Sequence, residues 1–185
     1  QETDPTDLRF NTSGTKLFVI GQSGDDVNEY ALSTAYDIST ASYTTNFSVA
    51  SQETAPRGLA FNSDGTKMYA VGSANDTVYQ YSLSSAFDLS TASYDSVSFS
   101  VASQTTFPTA IDFNSDGTKM FIVGGGNVSE YNLSSAFVVS SATYSQNFSL
   151  SGSSQTGLAF NSDGTKMFVV DTGGDVVFPY TLSTG

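Results

Sequence analysis

The chain has 185 residues, 18 acidic and 6 basic side chains, a net charge of -12, and no Cys, His or Trp. Those absences exclude disulfides, thiolate or imidazole catalysis and zinc sites built on Cys or His. The acidic balance argues against nucleic acid, whose binding needs clustered Lys and Arg, and no apolar run approaches the roughly 18 residues of a membrane span. Aromatics make up 13% of the chain, all Phe or Tyr. With abundant Thr and Val they suit pleated, half-buried surfaces, so the chain is expected to be folded and all-β. The sequence has no initiator Met and no signal-peptide pattern at Gln1, and so reads as a processed form or an excerpt.

In chain order, one unit is written nearly four times. The run Phe10-Asn11-Thr12-Ser13-Gly14-Thr15-Lys16 returns as FNSDGTK at Phe61, Phe113 and Phe160, with spacings of 51, 52 and 47 residues. Within the second unit, strand A is Leu59 to Phe61. An Asn-Ser-Asp-Gly hairpin follows, in which Gly65 supplies a positive φ. Strand B, Lys67 to Val71, is apolar on both faces, as in a sheet stacked between two others. Strand C runs from Val78 to Leu83, a connector from Ser84 to Tyr94, and strand D from Ser98 to Val101. The units are bounded at 1–51, 52–103, 104–152 and 153–185, about 3.75 repeats, and the last lacks its strand D. Its strand C also carries Pro179 where the others have Glu29, Gln80 and Glu130, which marks an edge strand.

Periods of 40–50 residues with four strand signals each are the mark of propeller blades. The motif L-A-F-N-S-D-G-T-K-M-[FY]-x-V, followed by V-Y-x-Y-x-L, resembles the repeats of WD40-like and YVTN-type β-propellers across essentially the whole chain. It departs from them in lacking the Trp-Asp and Gly-His marks and in its long S-T-A-[FY]-D-[IL]-S-T-A-S-Y connector. The repeats are also similar to tandem propeller repeats of bacterial surface proteins and marine phage virion proteins. The resemblance implies four-stranded antiparallel blades. These form either a compact four-bladed ring or part of a larger propeller or assembly, such as an eight-bladed dimer or a stacked filament.

The NSDG turns offer oxygen ligands but not the further carboxylates of a calcium loop, so they are expected to be plain turns with Lys16, Lys67, Lys119 and Lys166 beside the turn Asp. Better metal candidates are the B–C loop carboxylates Asp25, Asp26, Asp171 and Asp175, for which calcium is the natural ion. Length differences among the units gather in the B–C and D–A loops, on one rim in a WD40-like blade. That rim nominates Arg57, Phe107, Pro108, Asn75 and Asn127 as partner-binding candidates. A single insertion before Phe99 falls to the connector. In strand A, Arg9 and Asp112 replace Ala60 and Ala159, and the two are expected to meet near the channel, because a charge buried alone is costly.

The leading functional expectation is a non-enzymatic structural and binding module without cofactor. It would be extracellular, on a cell surface or on a virion, and would present its rim loops to a protein or glycan partner, with self-association as a further option. Six Asn-x-Ser/Thr sequons fit an exported chain. The alternatives are a self-assembling filament or decoration subunit and a carbohydrate-active or lactonase-like propeller enzyme with a divalent cation. Without His or Cys, a hydrolase here would need converging carboxylates or a Ser–Lys pair.

Overall fold

A computed structural model describes residues 2–152 and 154–182. The first blade is β1 (Pro5–Phe10), β2 (Lys16–Gly21), β3 (Asp26–Leu32) and β4 (Ala41–Ser48). The second is β5 (Pro56–Phe61), β6 (Lys67–Gly72), β7 (Thr77–Leu83) and β8 (Ala92–Ser100). The third is β9 (Pro108–Phe113), β10 (Lys119–Gly124), β11 (Asn127–Leu133) and β12 (Ala142–Ser149), and the fourth is β13 (Gln155–Phe160), β14 (Lys166–Asp171) and β15 (Val176–Thr181). Each is an antiparallel meander in sequence order, three of four strands and the last of three. The fold is an all-β propeller of four blades around a common axis. Pro179 lies in β15, the outer strand of its sheet.

The hairpin signature is explained residue by residue. Asn62 Oδ1 accepts the Lys67 amide at 2.8 Å, and Asp64 Oδ1 accepts the Thr66 amide at 2.9 Å. Gly65 turns the chain at φ 73°. The Thr66 hydroxyl also donates to Asp64, and these bonds hold the Asp64 carboxyl below the usual range. The carboxylate is thus spent inside the turn, and the lysines pair elsewhere, contrary to expectation. Lys16 meets Glu29 at 2.7 Å, Lys67 meets Asp95 at 3.3 Å and Lys119 meets Glu130 at 2.8 Å.

The D strands are longer than expected, because pairing with strand C resumes directly after a 3₁₀ turn at Leu89–Thr91. Ala92 already pairs with Leu83. The extra residue before Phe99 therefore lies within β8, where the register slips between Tyr94 and Val97 and Ser96 takes φ 58°. A bulge of this kind re-aims a side chain. Here it presents Asp95 to Lys67, in the one four-stranded blade whose strand C has Gln80 in place of Glu.

Packing runs from blade to blade. β1 lies against β5, β5 against β9 and β9 against β13. Three apolar clusters fill these seams: Phe18, Ile20 and Val27 with Leu59, Met68 and Ala70; Tyr69, Val71 and Val78 with Ile111, Met120 and Ile122; and Val123 and Val128 with Leu158, Met167 and Val169. Aromatic pairs stack across each, Phe18 on Phe61, Tyr69 on Phe113 and Phe121 on Phe160, with ring centroids 4.5–4.7 Å apart. Among the described residues, no such cluster joins blade four to blade one.

Candidate active site

The inner strands bring charge together on the axis. At one strand position stand Asp7, Gly58, Ala110 and Gly157, and two residues on stand Arg9, Ala60, Asp112 and Ala159. Small residues in blades two and four leave room for three charged side chains from blades one and three. Gly58 is required for a second reason: a Cβ there would lie 2.9 Å from Ala110 Cα, so β5 approaches β9 too closely for any side chain.

Arg9 Nη1 donates to Asp7 Oδ1 at 3.0 Å, and Nη2 crosses to the Ile111 carbonyl of blade three at 3.1 Å. Asp7 also accepts the backbone amides of Leu8 and, from blade two, Leu59, at 2.8 and 2.9 Å. Asp112 accepts the Phe113 amide at 2.8 Å. Burial pushes both carboxyls above the usual range, against the opposing pull of Arg9, and the Asp7 charge raises Asp112 further. Arg9 and Asp112 thus share one electrostatic environment, as the two substitutions in strand A suggested, but the ion pair of Arg9 is with Asp7. Comparing the repeats position by position would have found Asp7, since a carboxylate replaces Gly or Ala there.

Pro5 and Thr6 of β1, Arg57 of β5, Thr109 of β9, Thr156 of β13 and Thr172 just after β14 line a cleft of about 280 Å³ to which all four blades contribute. Asp112 lines a separate cleft of about 840 Å³ between blades three and four, with Lys119 and Glu130. The Arg57 guanidinium lies 4.3 Å from the Phe107 ring centroid and donates to Ser73 at 3.0 Å. The structure therefore joins Arg57 and Phe107 beside the axis, with Pro108 opening β9 next to them. Asn75 instead donates to the carbonyl of Gln52 in the preceding D–A loop, and Asn127, which opens β11, to the carbonyl of Gly125.

The B–C loop carboxylates fall into separate roles. Asp25 and Asp175 take φ 47° and 52° at turn positions also filled by Asp76. Burial, with Glu2 and Asp26 nearby, raises the Asp25 carboxyl. Asp26 accepts hydrogen bonds from Asn28 and Asn46, and buried Asp171 accepts the Ser154 amide at 2.6 Å. Asp25 and Asp26 belong to blade one, Asp171 and Asp175 to blade four. Among the described residues, no three His, Cys, Asp or Glu converge as a cation site would need.

No family model matches the chain, and no curated protein does. The fold is shared with solved structures. A candidate 6-phosphogluconolactonase of Bacteroides fragilis is 16% identical with a TM-score of 0.65, over 96% of this chain and 50% of its own. A similar candidate of Bacteroides uniformis is 13% identical with a TM-score of 0.65, over 97% of this chain and 53% of its own. The periplasmic gluconolactonase of Pseudomonas aeruginosa is 14% identical with a TM-score of 0.59, over 94% of this chain and 48% of its own. The chain spans about half the length of each.

These likenesses correct the expectation of a non-enzymatic structural and binding module, since three of the solved structures sharing the fold are named as lactonases. The physical reason lies on the axis. Lack of His and Cys removes two kinds of catalyst, but carboxylates and a guanidinium far apart in sequence are assembled by the blades into one group.

Proposed function

We propose that the chain is a lactonase-like propeller hydrolase acting on sugar lactones at the axial trio. The observation that carries this reading is the grouping of two carboxyls raised by burial, Asp7 paired with Arg9 and Asp112 within reach of its charge, on the axis of a fold shared with proteins named as lactonases. The fold by itself would not choose an activity, because propellers host many.

In this reading Asp112 is the general base. It takes a proton from water as the oxygen adds to the lactone carbonyl, then returns it to the ring oxygen as the ester C–O bond breaks. A carboxyl raised toward neutrality is a better base for this task than an exposed one. Arg9 uses only part of its five-donor fork on Asp7, Leu8 and Ile111, and its remaining N–H groups stabilise the oxyanion. Asp7 is a positioning residue that holds Arg9. The threonine hydroxyls of the cleft and Arg57 would take the substrate hydroxyls or a phosphate.

The test is hydrolysis of gluconolactone and 6-phosphogluconolactone, followed as acid release above the spontaneous rate. Asp112→Asn is expected to abolish catalysis, and Arg57→Ala to raise KM more for the phosphorylated substrate. No rate above background with the unaltered chain, or full activity in Asp112→Asn, would overturn the reading.

A further inference from the structure

Arg57 is set apart from most of the chain's cations. Arg9, Lys16, Lys67 and Lys119 are each in an ion pair with a carboxylate, whereas Arg57 has none among the described residues. Its guanidinium is nonetheless fixed. Its central carbon lies 4.3 Å from the Phe107 ring centroid, and Nε donates to Ser73 at 3.0 Å. Both Nη groups are left without a protein acceptor among the described residues. An unpaired fork held in one place is suited to bidentate recognition of an oxyanion.

The cleft that Arg57 lines has a matching chemistry. In a chain with 18 acidic side chains, none of its lining residues among those described is acidic. Its hydroxyls are already oriented. Thr6 donates to the carbonyls of Ile20 and Pro56 at 3.3 and 3.1 Å, Thr109 to that of Val123 at 3.3 Å, and Thr172 to that of Ser154 at 3.2 Å. Each has committed its one hydrogen to the backbone, so toward the cleft it can only accept. Thr156 has no protein partner among the described residues and can do either. A ligand that satisfies both parts must bring an oxyanion for Arg57 and hydroxyl groups that donate to the threonines. A neutral sugar leaves the guanidinium unpaired, and a bare anion leaves the threonines without donors. The volume of about 280 Å³ has room for one sugar-sized molecule, at the small end of the roughly 300–1,000 Å³ of ligand pockets.

We propose that this cleft binds a monomeric polyhydroxy acid, a sugar-sized polyol carrying one carboxylate or phosphate. Arg57 takes the oxyanion, with Phe107 and Ser73 holding the guanidinium in place, and the threonine oxygens accept the ligand's hydroxyl groups. The site selects the acid over the neutral sugar of the same size, because the guanidinium is paired only by the acid. It stands on its own geometry, since Asp112 lines the other cleft. That the bound acid is the open-chain product of lactone hydrolysis rests on the lactonase reading.

The test is calorimetric titration of the 185-residue chain with gluconate, glucose 6-phosphate, glucose and acetate, with no turnover involved. Gluconate or glucose 6-phosphate is expected to bind, and which of the two binds more tightly identifies the anion as carboxylate or phosphate. Glucose and acetate are expected to bind at least about tenfold more weakly, the worth of a charge-assisted hydrogen bond. Arg57→Gln, checked for an unchanged far-UV circular dichroism spectrum, is expected to lose the same factor for the acid and nothing for glucose. Thr156→Val, which removes no hydrogen bond from the protein, is expected to weaken the hydroxylated acid several-fold and leave acetate unchanged. No binding of either acid, glucose bound as tightly as gluconate, acetate bound as tightly as gluconate, or an Arg57→Gln variant of unaltered affinity would each overturn the proposal. Gluconate binding by a chain that hydrolyses no lactone would uphold this site and remove only the hydrolase reading. Hydrolysis with neither acid bound would overturn this site alone.

Discussion

Arg9 of the first blade donates to the backbone carbonyl of Ile111 in the third, at 3.1 Å across the propeller axis. The contact ties together two strands separated by a hundred residues of chain, and its other arm is the ion pair with Asp7. Both side chains of that pair are largely buried, at 24% and 14% exposure. Removing one partner of such a pair leaves the other charge uncompensated, which costs more than the pair contributes.

Arg9→Met is accordingly expected to lower stability by about 1–3 kcal/mol, the desolvation penalty of a buried group left without its partner. Urea unfolding measures this. The Arg9→Met/Asp7→Asn double variant should recover part of the loss, because it no longer buries an unpaired carboxylate.

The axial carboxyls set a pH dependence of opposite sign to that of the surface turns. Burial raises Asp112 and Asp7 above their unfolded value of 3.8, so folding favours their protonated forms. Their ionisation therefore costs stability above the raised folded pKa, and the cost fades as pH falls toward 3.8. Asp64, held low by Thr66, contributes stability above 3.8 that is lost on further acidification. Asp112→Asn is expected to melt at or above the unaltered chain at pH 8 and to lose that advantage by pH 4. A lower melting temperature at pH 8 would mean that the charged carboxylate is favoured where it stands.

Lys67 and Asp95 form the ion pair that the bulge in β8 makes available. Burial pushes the Asp95 carboxyl up, but hydrogen bonds from Ser82 and Gln80 and the Lys67 charge outweigh it and hold the group low. Asp95→Ala is expected to cost about 1 kcal/mol, the upper end for partly exposed pairs. Part of that loss is the Gln80 amide, which donates to Asp95 at 2.8 Å. Asp95→Asn, which keeps an acceptor, should cost less in the same denaturation experiment.

Gly65 places its missing Cβ where the Phe87 ring lies, 2.2 Å away, in a backbone conformation of φ 73°. Gly65→Ala must strain the turn and displace a ring that belongs to the first seam. The left-handed conformation alone costs about 1–2 kcal/mol, and the displaced ring adds to it. A melting temperature lowered by several degrees is expected, and an unchanged one would show that the turn is free to rearrange.

Most of the blade was legible in the sequence because its determinants are local. Asn62, Asp64 and Gly65 specify a hairpin through bonds within five residues. Apolar residues on both faces of strand B state that a blade lies on each side. The replacement of Ala60 and Ala159 by Arg9 and Asp112 along strand A marked the axis in the sequence, whereas Asp7, one two-residue step away on the same face, was not read from it.

What only the tertiary structure decided depends on distances between blades. Whether Lys67 pairs with Asp64 or Asp95 turns on a bulge whose register no single strand contains. Asp7, Arg9 and Asp112 become one electrostatic group because two blades face each other across an axis, and burial there raises carboxyls that would titrate normally in water. The exposure of Leu8, Val170 and Val177 is likewise invisible in the repeat, since their counterparts Leu59, Ile20 and Val27 have the same chemistry and are buried. A repeat encodes the interface between neighbours equally in every copy, and the arrangement of the whole determines which copies have a neighbour.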